Sequence, residues 1–198
     1  MTNRLIYCFV DIETDGPIPG EHSLLSFACI ALTESGHEID SFSRNLHPLE
    51  GAEADPETAA WWQAQPATWD EINTDRKEPA SAIPDFTRWL ESLPGDPVFA
   101  ADPLIFDALW IDWYLRHFAG QRLFKGPYGG KSLFVGTGID IPSFVQAAMG
   151  LDYFRERPEY PPELLDGVPH SHLPIEDARG HAALFFKARP HTTQRKRV

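Results

Sequence analysis

The sequence predicts a single α/β domain that opens with a sheet and continues with helices. Three observations carry this reading. Leu5-Ile6-Tyr7-Cys8-Phe9-Val10 is a near-continuous apolar run, the pattern of a strand buried on both faces. Ser23 to Leu32 and Glu38 to Leu46 follow as strands around the turn Glu34-Ser35-Gly36-His37, which makes an antiparallel meander. The middle of the chain then changes to helical period.

The elements follow in order. The first strand ends at Asp11, and Asp15-Gly16-Pro17-Ile18-Pro19-Gly20 delays regular structure before the second. Asp55-Pro56-Glu57-Thr58 starts a helix, with Asp55 as cap and Pro56 in the first helical position. A short helix over Ala67 to Ile72 follows Pro66. A third is expected from near Ser81 to Leu93, with Pro84 in its first turn. Asp96 to Ala101 is a short strand. It leads through Asp102-Pro103 into a helix from Leu104 to Phe118 closed by Gly120, with Asp102 as the candidate cap. Ser132 to Ile141 is the expected last strand, weakened by Gly136 and Gly138. Pro142 to Met149 is a helix stopped by Gly150. Residues 152–171 hold four prolines and read as a long loop, and a last helix runs from Pro174 to about Lys187. The expected division is a domain over 1–187 and a basic, flexible tail over 188–198.

Composition narrows the function. Hydrophobic content of 42% with 12% aromatic residues suits a packed domain and excludes a disordered chain. The net charge is −12, and the stretch from Lys187 onward is basic, so the rest of the chain is more acidic than the total. Such a surface does not grip duplex DNA by its phosphates. A strand end handled through cations remains open as a substrate. Cys8 and Cys29 fall in apolar runs as small hydrophobes. With no secretory signal or membrane-length apolar stretch, they point to a reducing cytoplasm.

Four acids and a histidine carry chemistry. Asp11 and Glu13 lie two residues apart at the end of the first strand, so alternation sends both to one face. Asp107 lies near the start of a helix among the apolar Phe106, Ala108, Leu109 and Trp110; it serves either the same site or its own helix dipole. His172 and Asp177 span a loop–helix junction, with Asp177 as a rigid ligand and His172 as a general base on a mobile loop. His170 is an alternative base, and His181 reads as a surface histidine. Three histidines also admit a zinc site, but the acid-rich set favours Mg²⁺ or Mn²⁺. Gathered carboxylates are stable only when cations neutralise them, and two metals about 3.5–4 Å apart are a recurring device for phosphodiester hydrolysis.

The set Asp11-x-Glu13, Asp107 and His172-x4-Asp177 resembles the DEDDh 3′–5′ exonucleases, which include polymerase proofreading subunits, oligoribonuclease and ribonuclease T. The stretch Trp61-Trp62-x3-Pro66 resembles a smaller branch that contains a phage exonuclease A and a mycobacterial exoribonuclease. The resemblance implies a ribonuclease H-like fold, a mixed five-stranded sheet with the meander first, flanked by helices. It implies two Mg²⁺ or Mn²⁺ ions held by Asp11, Glu13, Asp107 and Asp177, with His172 activating water. The implied reaction is hydrolysis of single-stranded RNA or DNA from a free 3′ end to nucleoside 5′-monophosphates, RNA ahead of DNA. Thr14 would contact the terminal nucleotide, and a homodimer would accord with relatives. One departure stands out: Pro103 takes the place of an Asn usual four residues before the second-motif Asp.

Trp61, Trp62 and Phe106 are candidates for stacking on terminal bases, with core packing as the competing role. Trp89, Trp110 and Trp113 recur at helical spacing and read as core or interface. Two other functions stay open: a nucleic-acid binding module without turnover, and a phosphodiesterase for small nucleotides.

Overall fold

The strand β1 (Leu5–Thr14) is the axis of the molecule. The computed structural model describes residues 4–126, 132–152, 160, 162–168 and 170–194. β1 pairs antiparallel with β2 (Leu24–Thr33), which pairs antiparallel with β3 (Glu38–Asn45). On its other side β1 pairs parallel with β4 (Asp96–Ala101), and β4 pairs with β5 (Ile139–Asp140). The order β3-β2-β1-β4-β5 is the expected mixed five-stranded sheet with the meander first.

Alternation along β1 divides the core into two layers. Ile6, Cys8, Val10 and Ile12 join one cluster with Phe27, Phe86, Trp110 and Tyr114. These draw in α3 (Pro79–Ser92) and α4 (Leu104–Ala119). Tyr7 and Phe9 face the other way, among Ile141, Val145, Ala178 and Phe185. That layer belongs to α5 (Ile141–Met149) and α6 (Pro174–Gln194). Two shorter helices, α1 (Pro56–Gln63) and α2 (Pro66–Ile72), sit between β3 and α3 in the chain.

Local chemistry sets the element ends. Asp55 caps α1 by accepting a hydrogen bond from the Thr58 N–H at 2.8 Å, and Pro56 takes the first helical position. Gly120 and Gly150 end α4 and α5 in left-handed conformations that a glycine adopts without a Cβ clash.

Several expectations are corrected. α3 begins at Pro79, which places Pro84 in its second turn; burial of Ile83, Phe86 and Leu90 offsets the hydrogen bond that Pro84 cannot make. The last strand is Ile139–Asp140 alone, because Gly136 and Gly138 both take positive φ and break the extended run. Asp102 does not cap α4. It is buried, and the Leu104 N–H donates instead to Asp140 Oδ1 at 2.9 Å. α6 continues past Lys187 to Gln194, so part of the expected tail is helical, while Arg195, Lys196 and Arg197 lie outside the described residues, as does part of the 152–171 loop. No helix among the described residues is long and apolar enough to cross a membrane.

Candidate active site

Asp11 and Glu13 share the parity of Tyr7 and Phe9, so they extend the α6 face of β1 toward its C-terminal end. Asp177, in the first turn of α6, meets them there. One carboxylate oxygen from each of Asp11, Glu13 and Asp177 lies within 4.8 Å of the other two. Asp11 and Asp177 are buried, at 7% and 3% exposure. Carboxylates this close and this dry repel one another, and a divalent cation relieves that repulsion. The all-oxygen donor set fits Mg²⁺ or Mn²⁺.

Asp107 arrives from the opposite layer. The β1–β4 register runs to Phe9 opposite Ala100, so the chain leaves β4 just short of the level of Asp11 and enters α4 within three residues. Asp107 sits in the first turn of α4 and is 2% exposed. Its oxygens do not lie within 4.8 Å of all three other acids.

The segment before α6 is tied down. The Ser171 and His172 N–H groups donate to Asp177 Oδ1 and Oδ2 at 2.9 and 3.1 Å. The Ser171 hydroxyl donates to Glu176 Oε2 at 2.7 Å, and the Thr68 hydroxyl of α2 donates to the Ser171 carbonyl at 3.2 Å. His172 takes a left-handed φ of 58°, a conformation that costs about 1 kcal/mol or more unless its surroundings hold it. These bonds hold it. His172 thus sits at a hydrogen-bonded corner ahead of α6.

His172 Nδ1 lies 3.7 Å from Glu13 Oε1, and the imidazole and the Trp61 ring meet in a T-shaped contact at 4.8 Å between centroids. His170 Nδ1 lies 3.0 Å from Asp177 Oδ2. Burial alone would raise the Asp177 carboxyl. Hydrogen bonds from His170 and the Ser171 amide, with the nearby His170 and His181 imidazoles, reverse this and hold it below the ordinary carboxylate value.

The remaining candidates differ in what they offer. Thr14 is buried; its hydroxyl donates to the Gly16 carbonyl at 2.9 Å, and its carbonyl accepts the Trp62 indole N–H at 2.9 Å. Trp61 is 41% exposed. Trp62, also expected to stack on bases, is 2% exposed and packs with Leu25 and Ile72, so it belongs to the core. Its packing on Trp61 at 4.6 Å makes it a support for the exposed ring. Phe106 is half-buried against the α3–α4 layer.

The reading of His181 as a surface residue is overturned. It is 5% exposed, with Nδ1 3.8 Å from Asp11 Oδ1 and Nε2 4.0 Å from Asp102 Oδ2. The available signal was its spacing, four residues after Asp177 and thus on the same helical face.

The sheet order and its flanking layers define a ribonuclease H-like α/β domain, with clustered acids at the C-terminal end of its central strand. In sequence the chain is similar to the 3′–5′ DNA exonuclease Cap18 of Escherichia coli, at 29% identity over 127 residues that cover 62% of this chain and 64% of Cap18. Escherichia coli exonuclease I in complex with a dT13 oligonucleotide matches with a TM-score of 0.70 at 12% identity, over 98% of this chain and 43% of that one. The moderately thermophilic exonuclease I of Methylocaldum szegediense gives 0.67 at 19% identity, over 98% and 42%. The chain thus spans under two thirds of Cap18 and under half of exonuclease I. No protein-family model matches the sequence. The resemblance to 3′–5′ exonucleases of the ribonuclease H-like superfamily, first carried by the acidic motifs, holds in sequence and in fold.

Proposed function

We propose that this chain is a metal-dependent 3′–5′ exonuclease acting on single-stranded nucleic acid, DNA ahead of RNA. The observation that carries the reading is the convergence of Asp11, Glu13 and Asp177 within 4.8 Å, with the His172 imidazole against Glu13. Motif resemblance alone favoured RNA. Cap18 is named a DNA exonuclease and exonuclease I is seen with a deoxyribonucleotide strand, which turns the reading toward DNA.

Asp11, Glu13, Asp107 and Asp177 would hold two Mg²⁺ or Mn²⁺ ions. Such a pair, when bound, stabilises the attacking and leaving oxygens of an in-line displacement at phosphorus. The protein's own residues do the rest. His172 turns Nδ1 toward Glu13, so Nε2 is the nitrogen that would take a proton from the attacking water. The Thr14 main chain, fixed by its bond from Trp62, would hold the 3′-terminal nucleotide. Trp61 would stack on a base without reading its identity. The acidic surface accords with weak contact to one strand end rather than a grip on duplex.

The deciding experiment incubates 5′-labelled single-stranded DNA and RNA, with free or blocked 3′ ends, in Mg²⁺, Mn²⁺ or chelator. Stepwise shortening from the 3′ end, abolished by chelator and by the 3′ block, is the expected result. Degradation from the 5′ end, or activity that survives chelation, rejects the assignment.

A further inference from the structure

We propose that His170, His172 and Asp177 form a second, nitrogen-rich metal site that takes a late first-row transition ion such as Zn²⁺ and overlaps the acid site through Asp177. One ligand atom from each of the three lies within 4.8 Å of the other two. His170 Nδ1 is already 3.0 Å from Asp177 Oδ2, and the two imidazoles meet at 4.4 Å between centroids. Zinc bonds of about 2.0–2.2 Å in tetrahedral geometry set ligand atoms roughly 3.3–3.6 Å apart, so the trio needs only a small closing movement.

Donor chemistry separates this site from its neighbour. Two imidazoles and one carboxylate suit zinc, whereas the Asp11–Glu13–Asp177 group offers oxygen alone. The frame is also built in advance. Both Asp177 oxygens accept main-chain N–H bonds from the segment that carries the histidines, and Thr68 pins that segment to α2. Outer bonds of this kind orient ligands in metal sites. Access is open, with the His170 and His172 side chains 43% and 27% exposed, so water can complete the coordination.

An ion held here would tie up a nitrogen of His172 and an oxygen of Asp177. Zinc would then inhibit hydrolysis in competition with Mg²⁺. That consequence rests on the nuclease reading, whereas the binding itself does not.

The test titrates ZnCl₂ into the metal-free full chain by calorimetry, with Co²⁺ absorption as a report of coordination. Wild type should bind one ion per chain. His170→Gln should weaken zinc binding by about tenfold or more while Mn²⁺ binding is kept. Asp11→Asn should do the reverse. Under turnover in Mg²⁺, the zinc concentration that halves each variant's own rate should rise by a similar factor in His170→Gln. Zinc binding unchanged in His170→Gln, or lost in Asp11→Asn, would place the ion among the acids and overturn the proposal. A chain that hydrolyses nothing in any metal would defeat the nuclease reading, and the calorimetry would still decide the zinc site.

Discussion

The Trp62 indole N–H donates to the Thr14 carbonyl at 2.9 Å, joining α1 to the last residue of β1. This bond holds the end of β1 against α1, where Thr14 is proposed to meet the terminal nucleotide. Trp62→Phe keeps most of the ring volume but leaves a buried carbonyl without its donor. Denaturant unfolding should show a loss of about 1–3 kcal/mol. Trp62→Ala should lose roughly 3–5 kcal/mol through the added cavity.

Replacing His172 by alanine removes the imidazole proposed to accept the proton and leaves the acid group intact. Single-turnover rates on a short DNA strand should fall about 10²–10⁴-fold. Binding of the strand in Ca²⁺ should change far less. Equal loss of binding and rate would make His172 a structural residue.

Asp107 is buried in the first turn of α4. Asp107→Ala should cut turnover by a factor on the order of 10²–10³, the scale expected when one electrostatic stabiliser is lost. A cooperative thermal transition in chelator should show that the variant stays folded. A folded variant with full activity would take Asp107 out of the mechanism.

Saturating Mn²⁺ should raise the stability of wild type by about 3 kcal/mol at a hundredfold excess over Kd. Asp177→Asn should abolish most of that gain, which thermal unfolding with and without metal can measure.

Two carboxylates should shape acid stability with opposite signs. The Asp55 carboxyl is held below the ordinary value, first by the Thr58 amide and then by the Thr58 hydroxyl. Its contribution is present above the unfolded-state value and is lost as pH falls through the lower folded one. Asp15 is raised, chiefly by burial, so the fold gains as pH falls through its folded value toward the unfolded one. Asp55→Asn and Asp15→Asn should each remove one component from the pH profile of unfolding, followed by tryptophan fluorescence.

The parts that read directly from sequence were those with strong periodicity. β1 to β3, β4, and the glycine-stopped α4 and α5 lie close to where apolar spacing and turn residues put them. The Asp11–Glu13–Asp177 convergence was legible because a strand's alternation and a helix's first turn constrain direction. Less was visible where one side chain's surroundings decide the matter. Nothing near His181 in sequence reports Asp102, since the two meet only after α6 packs over β1 and the end of β4. The separate fates of Trp61 and Trp62 depend on which face α1 turns to Leu25. The corner at His172 exists because Asp177 accepts two amides from the residues just ahead of its helix, a closure that no periodicity announces.

The parity of β1 has a further consequence. Odd-numbered residues supply both the hydrophobic seat for α6 and the two acids beyond it, while even-numbered residues meet α3 and α4. Inserting one amino acid between Leu5 and Val10 without a compensating bulge would swap these duties, burying two negative charges beside Phe27 and Trp110 and turning Val10 and Ile12 toward Asp177. The packing of α6 and the gathering of the acids therefore depend on the same alternation of one strand.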